Sequence, residues 1–250
     1  VLAAVKAEVA VPGKEEGADR RGRVAVTIDL TANPTGALDR RRAEEESVTL
    51  SAQATRILVE SGALPVELLC IVPGKKCWAL HIDAVVLSAA GNVLDAALLA
   101  IKAALKSTLL PAVTVVRRSA AADSAVSSAA SRAADDVELD ISDDPADAIP
   151  LAAWDARVPM VVTVARAGGC AFVDPSADEE ACVSSRVSVA LNDKGKLLGT
   201  FKLGAGALAP ETLMETVRLA HEVSATLQQR FRAAFARANG DAEAGDEEDQ

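Results

Sequence analysis

The segment FVDPSADEEACVSSRVSVAL (172–191) places four carboxylates, Asp174, Asp178, Glu179 and Glu180, immediately before an alternating, strand-like run. Acids at that density can hold a metal ion or move a proton. A hydrolytic two-metal centre would need acids converging from several elements, and the chain offers no second cluster. The plainer reading is a solvated turn at a strand edge. Zinc is disfavoured, because His81 and His221 are the only histidines and none of Cys70, Cys77, Cys170 and Cys182 forms a C-x-x-C pair. The cysteines read as buried, reduced thiols of a cytosolic or nuclear protein. His81 and Asp83 share a strand face and would suit acid–base work, but mid-strand they are expected to serve packing between sheet and helix. Two basic features could meet phosphate. Arg40, Arg41 and Arg42 form a run in an expected loop before the first helix, offset by the acids that follow. Arg56 sits on that helix about 145° from the centre of its apolar stripe, counting 100° per residue. The turn KLGAGALAP (202–210) has the glycines of a phosphate cradle, but GxG alone is weak.

The elements that must position these groups fall into two blocks. VLAAVKAEVAV (1–11) and GRVAVTIDL (22–30) alternate as strands, and 44–61 reads as a helix with Leu50, Ala54, Ile57 and Leu58 on one face. CWALHIDAVVL (77–87) is the strongest strand, with Trp78, Leu80, Ile82, Ala84 and Val86 on one side. The helix of 91–107 is apolar nearly all round and is expected to be deeply buried. Residues 117–136 are low-complexity Ala and Ser without an aliphatic stripe, expected as a floppy insertion. Four further strands are expected at 158–166, 169–174, 184–192 and 196–204, with NDKG (192–195) as a hairpin turn. A final helix from Pro210 to Ala236 carries Leu213, Val217, Ala220, Leu227 and Phe231 at helical spacing. Strands and helices in blocks give an α+β fold, with sheets covered by helices.

The chain of 250 residues suits one large domain or two small ones sharing a core, and half of it is hydrophobic. No apolar run is long enough to span a membrane, and no leader pattern suggests secretion. The sequence starts at Val1, inside what reads as a strand, so the true amino terminus is expected to be missing. The net charge is −10, of which the tail DAEAGDEEDQ contributes −6. That tail reads as a disordered, solvated extension. The balance argues against a self-sufficient nucleic-acid binder but leaves room for a local basic patch or a channel shared with other subunits.

Three segments together resemble a known family: VPGKKCWALHIDAVVLSAAGNVLDAALLAIKAAL (72–105), DDPADAIPL with VPMVVTVA (143–165), and FVDPSADEEACVSSRVSV (172–189). They resemble the RNase PH-like ring subunits of the RNA exosome, and more narrowly the non-catalytic type that partners the active-type subunit in archaea. The resemblance covers roughly residues 1–238. It implies an RNase PH-like fold of two similar halves with central helices packed on sheets, here 1–116 and 141–238, separated by the insertion 117–140 and followed by the tail 239–250. It also implies an N-terminal segment of the family that this sequence lacks.

Phosphorolysis needs an anion site for inorganic phosphate, held by cationic and N–H donors against its repulsion from the RNA phosphate. In active relatives a G-G-T-R-like turn supplies those donors. The matching stretch here is GNVLDA (91–96), with Val93 and Leu94 in place of the hydroxyl and guanidinium and Asp95 adding negative charge. Asp174 matches an acidic position of the active type, and Glu179 or Glu180 falls near the catalytic one. Without a phosphate site these acids are expected to lack a working partner within the chain and to cap the turn or meet a neighbouring subunit. The resemblance therefore implies no catalytic residues, no cofactor and no metal. It assigns RNA contact to Arg41 and Arg56, although the companion arginine one turn before Arg56 is Ala52, and of a basic pair near Phe201 only Lys202 is present. The implied partners are sister ring subunits, cap subunits, single-stranded RNA and an associated nuclease, with no membrane. The implied role is 3′-to-5′ RNA processing and degradation, rRNA included, in nucleus, nucleolus and cytoplasm. The alternative is a phosphate-dependent 3′-to-5′ exoribonuclease.

Overall fold

The computed structural model describes residues 1–13, 17–30, 40–117 and 137–246. The first half is a mixed sheet. Strand β1 (Leu2–Ala10) runs antiparallel to β4 (Lys76–Val85), β2 (Arg23–Asp29) runs parallel to β4 on its other side, and the short β3 (Cys70–Val72) also pairs with β4. Period-two alternation sends Ala3, Val5, Ala7 and Val9 of β1 and Trp78, Leu80, Ile82 and Ala84 of β4 to one face, where they join the main core. Helix α1 (Arg40–Thr55), continued by a π turn at Arg56–Glu60, packs on β2. It also satisfies the edge of that strand: Ile28 N donates to Ser51 Oγ at 2.8 Å and Leu30 N to Ser47 Oγ at 3.0 Å. Two serines one turn apart thus match alternate amides along a strand, a device that blunts an exposed sheet edge.

Helix α2 (Val93–Ser107) follows and leads to two small ladders. Strand β5 (Leu109–Leu110) pairs with β8 (Ile149–Pro150), and β6 (Val113–Arg117) pairs with β7 (Val137–Ile141). The second half is an antiparallel sheet in the order β10 (Cys170–Val173), β9 (Met160–Ala167), β11 (Ser185–Leu191), β12 (Leu197–Leu203). Helix α3 (Ala177–Cys182) lies between β10 and β11, and α4 (Pro210–Asp246) closes the chain.

The central strands β9 and β11 are buried on both faces along most of their length. Val161 and Ala190 point into the main core with Leu94, Ala97 and Ile101 of α2. Val162, Val164, Val187 and Val189 point the other way, into a second cluster with Ala220 and Val217 of α4. One sheet is therefore covered by a helix on each side, and α2 contacts strands of both halves. This is the α+β, two-half architecture expected from the sequence.

Several expectations are corrected. The arginine run does not precede the helix: Arg40–Arg42 form its first turn, since arginine is a good helix former and Arg41 gains an i,i+4 pair with Glu45. Helix α2 is one-sided rather than buried all round; Leu99 is 38% exposed, while the buried face includes Lys102. Helix α4 runs on to Asp246, so the acidic tail expected as disordered from 239 is helical up to that residue. Its most buried line is Thr216, Ala220, Ser224 and Gln228, with Leu213 exposed. Small residues at i, i+4 let the helix approach the sheet closely, and the larger Val217, Val223 and Leu227 flank that line. His81 and Asp83 do not pack between sheet and helix; they lie on the outer face, where His81 Nε2 is 3.1 Å from Glu8 Oε1 and Asp83 is exposed. Lys6 and His81 hold the Glu8 carboxyl below its ordinary value. Of the cysteines only Cys77 is buried, with Cys70 intermediate and Cys170 and Cys182 exposed. The low-complexity stretch 118–136 and residues 247–250 lie outside the described residues.

Candidate functional site

The turn that opens α2 meets the acidic segment directly. Gly91 has φ +120°, and a Cβ there would fall 2.6 Å from the Ser176 carbonyl carbon and 2.7 Å from Ala177 N. Only glycine permits that approach, and it lets Ala177 N donate to Ala90 O at 2.7 Å. Asn92, at φ 47°, is the N-cap residue of α2, and Asp174 is also left-handed at φ 56°. Two residues that tolerate this conformation better than most are placed where two chain segments turn against one another.

Asn92 is the centre of the arrangement. Its backbone N donates to Glu180 Oε1 at 3.0 Å, and its Nδ2 donates to Asp174 Oδ1 and to Asp95 Oδ2, both at 3.0 Å. Asp95 also accepts from Thr163 N at 2.6 Å and from Thr163 Oγ1 at 2.7 Å. Thr163 Oγ1 lies 2.7 Å from Ser188 Oγ, extending the chain of polar groups across β9 and β11. Burial pushes the Asp95 carboxyl up to about 6; the bonds from Thr163 and Asn92 oppose the rise and the nearby Asp174 adds to it. Glu180 forms an ion pair with Arg186. Glu179 completes a capping box on Ser176 at the start of α3.

Two of the acids expected to lack a working partner in this chain, Asp174 and Glu180, are engaged within it, while Glu179 caps a short helix, in keeping with the expected capping role. Asp174 and Glu180 bond the α2 turn and Glu180 pairs with Arg186, so these two join the acidic segment of the second half to the helix of the first. The sequence reading missed Arg186, Thr163 and Ser188. Strand alternation could have found them, since all three lie on the α2-facing side of β9 and β11 with Val161 and Ala190.

At the position where an anion would sit, an internal carboxylate accepts from the α2 turn, and two more carboxylates lie beside it. The cavity lined by Asn92, Val93, Leu94, Thr163, Glu180 and Arg186 measures only about 60 Å³. A second, larger cleft of about 440 Å³ lies between α2, β9 and α4, lined by the polar Asn92, Asp95, Asp174 and Arg230 and by Leu99, Leu227 and Phe231 among its apolar walls. Among the described residues, no group of three or more His, Cys, Asp or Glu is arranged to hold a metal ion.

The two arginines singled out from the sequence are elsewhere and apart. Arg41, in the first turn of α1, is exposed and its Nε is 3.3 Å from Glu45 Oε1. Arg56 lies fifteen residues on, about 22 Å along a helix axis. It opens the π turn, pairs with Glu60 at 3.6 Å and stacks 5.2 Å above the Phe201 ring of β12. Lys202 donates to Gly204 O at 2.7 Å.

Beneath the site, Lys102 is 2% exposed and joins three segments. Its Nζ donates to Asp155 O at 2.9 Å, Val158 O at 2.7 Å and Asp193 Oδ1 at 3.2 Å. Lys106 pairs with Asp155 at 2.9 Å, and Arg232 of α4 pairs with Asp193. The NDKG turn is built as expected, with Gly195 N donating to Asn192 O and Asn192 Oδ1 accepting from Lys194 N and Lys196 N.

Comparison with known proteins places this geometry. The family model described as 3′ exoribonuclease family, domain 1, matches residues 1–111, and its domain 2 matches 157–223. Exosome complex component Rrp42 of Methanocella arvoryzae is 29% identical over 84% of this chain and 69% of its own length. The protein of the same name from Sulfurisphaera tokodaii is 30% identical over 93% and 76%. Among solved structures, an archaeal exosome core superposes with a TM-score of 0.64 at 23% identity, covering 92% of this chain and 76% of the other. A chain of the Archaeoglobus fulgidus exosome with RNA bound to the active site gives 0.64 at 24%, covering 92% and 78%. With both domain models matched in order, one on each half of the fold, the chain belongs to the RNase PH 3′ exoribonuclease family.

Proposed function

We propose that this chain is a catalytically silent subunit of an exosome core ring. With sister RNase PH-like subunits it builds part of a channel that admits single-stranded RNA for 3′-to-5′ processing and degradation, rRNA included. The observation that carries the silent role is the filled turn at the start of α2. Glu180 takes the backbone donor of Asn92, Asp95 and Asp174 share its side-chain donor, and the neighbouring guanidinium of Arg186 is already paired. A phosphate ion there would have to displace a carboxylate and sit beside two others, which electrostatics opposes. The Rrp42 names of the similar proteins support the ring assignment.

In this reading Arg41 and Arg56 contact RNA phosphates. Both guanidinium groups are exposed, and a planar fork suits bidentate phosphate contact. Cap subunits, an associated nuclease that receives the 3′ end, and residence in nucleus, nucleolus and cytoplasm belong to the same proposal. The second reading, a phosphate-dependent exoribonuclease, draws on Arg186 pairing with Glu180 beside the α2 turn, because release of that ion pair would free a cation there.

Co-purification of the tagged chain, followed by 3′-end RNA decay with and without phosphate, separates the two. Recovery with several similar ring subunits, and no phosphate-stimulated release of nucleoside diphosphates by this chain alone, is the expected result. Phosphate-dependent release by the isolated chain would overturn the silent assignment. Within the assembled ring, Arg41→Glu with Arg56→Glu is expected to weaken RNA protection and flatten its salt dependence; unchanged protection would remove these two residues from the channel.

A further inference from the structure

Two thiols that the site does not use face one another at the margin of the first sheet. Cys70 on β3 is the register partner of Cys77 on β4. Directly opposed residues of an antiparallel pair carry their side chains on the same face. Neither thiol is in a disulfide. The segment 17–23 lies over them: Asp19 O is 3.9 Å from Cys70 Sγ and accepts Gly74 N at 2.7 Å, while Arg23 lies beside Cys77. Their access differs, Cys77 being fully buried and Cys70 only partly so.

We propose that Cys70 and Cys77 close into a reversible cross-strand disulfide, with a low-molecular-weight disulfide such as oxidised glutathione as the oxidant. Opposed residues on antiparallel strands have Cα atoms about 4.5–5.5 Å apart, inside the roughly 4.4–6.8 Å that a disulfide spans. Their Cβ atoms start about 4.5–5.5 Å apart and must close to about 3.8 Å, a movement of about 1 Å. The register shift between Cys70 and Val72 puts irregular backbone next to the pair, where that movement is least resisted.

The steps balance without a further reagent. The Cys70 thiol loses its proton and the thiolate attacks glutathione disulfide, forming a mixed disulfide and releasing one glutathione thiolate. The Cys77 thiolate then attacks the Cys70 sulfur, forming the Cys70–Cys77 bond and releasing the second. Two protein thiols are oxidised and one glutathione disulfide is reduced to two glutathiones. The accessible thiol reacts first and the buried one resolves it. Burial pushes both thiols above their ordinary values, so closure accelerates as pH rises.

The test uses the full chain with Cys170→Ser and Cys182→Ser, which removes the exposed thiols. Native protein is equilibrated with oxidised glutathione at pH 8, quenched with maleimide and mapped by mass. The expected product is lighter than the dithiol by two hydrogen atoms, binds no maleimide and yields a linked peptide joining residues 70 and 77; glutathione reverses it. Adding Cys77→Ser traps one glutathione on Cys70. Two maleimides on the oxidant-treated native protein, or glutathione retained on Cys70 with Cys77 alkylated, would overturn the proposal, as would a link that forms only in urea.

Discussion

Replacing Asp95 by Asn tests the polar junction between the two halves most directly. Asp95 carries a carboxyl raised to about 6 from an ordinary 3.8, chiefly by burial. Because the folded value lies above the unfolded one, folding takes up a proton between them, and stability rises as pH falls through 6 and levels off below 3.8. The full difference of about 2.2 units corresponds to about 3 kcal/mol, and between pH 8 and pH 5 the gain is about 1.4 kcal/mol. Asparagine removes the charge and can keep the bonds. Its Oδ1 accepts from Thr163 N and Asn92 Nδ2, and its Nδ2 donates to Thr163 Oγ1, whose hydroxyl turns toward Ser188. Urea unfolding of both proteins from pH 5 to pH 8 gives the comparison. Taking the difference cancels the other titrating groups, including Asp155, which burial pushes up but Lys106 and Lys102 together hold below its ordinary value. The variant is expected to gain about 1.4 kcal/mol on the wild type between pH 5 and pH 8. A difference independent of pH would show that Asp95 does not titrate in this range and refute the reasoning.

Other perturbations probe the contacts around it. Gly91→Ala forces a Cβ into the 175–177 backbone at a φ that favours glycine, and is expected to lower stability by at least about 2 kcal/mol, read as a lower urea midpoint. Lys102→Met removes the buried donor shared by Asp155 O, Val158 O and Asp193 Oδ1, while Lys106 and Arg232 still pair the two carboxylates; a loss of about 1–3 kcal/mol is expected, and thermal unfolding near that of the wild type would contradict it. Ser51→Ala removes the acceptor for Ile28 N at the β2 edge, at a cost of about 1–2 kcal/mol, with faster hydrogen exchange at that amide.

Much of the scaffold was legible because periodicity reports which face is buried. The alternation in 77–87 identified β4 and its inward residues, NDKG identified a hairpin, and the apolar spacing of Leu50, Ala54, Ile57 and Leu58 identified the buried face of α1 and of the π turn that continues it. The site was legible only in part. GNVLDA placed Val93, Leu94 and Asp95 at the start of α2, and only the family resemblance gave their types a meaning there, as an expected loss of the phosphate donors. What holds the acids could not be read, because Asn92 lies 82 residues from Asp174 and 88 from Glu180, and no local pattern records a contact at that separation.

Burial of charge was the other thing hidden from the sequence. Lys102 reads as an ordinary polar position on an apolar helix, yet it is interior because the 155–158 loop and the hairpin turn at Asp193 converge on it from the second half. Cysteine burial failed for the same reason: Cys170 on the edge strand β10 and Cys182 at the end of α3 are exposed, and residue type alone does not record what covers a thiol. Local sequence fixes each segment's intrinsic conformation and which side of it is apolar. Which distant groups complete a buried donor, neutralise a carboxylate or leave a thiol open is decided only when the two halves pack, because those energies depend on dielectric surroundings and partner distance that exist only in the folded state.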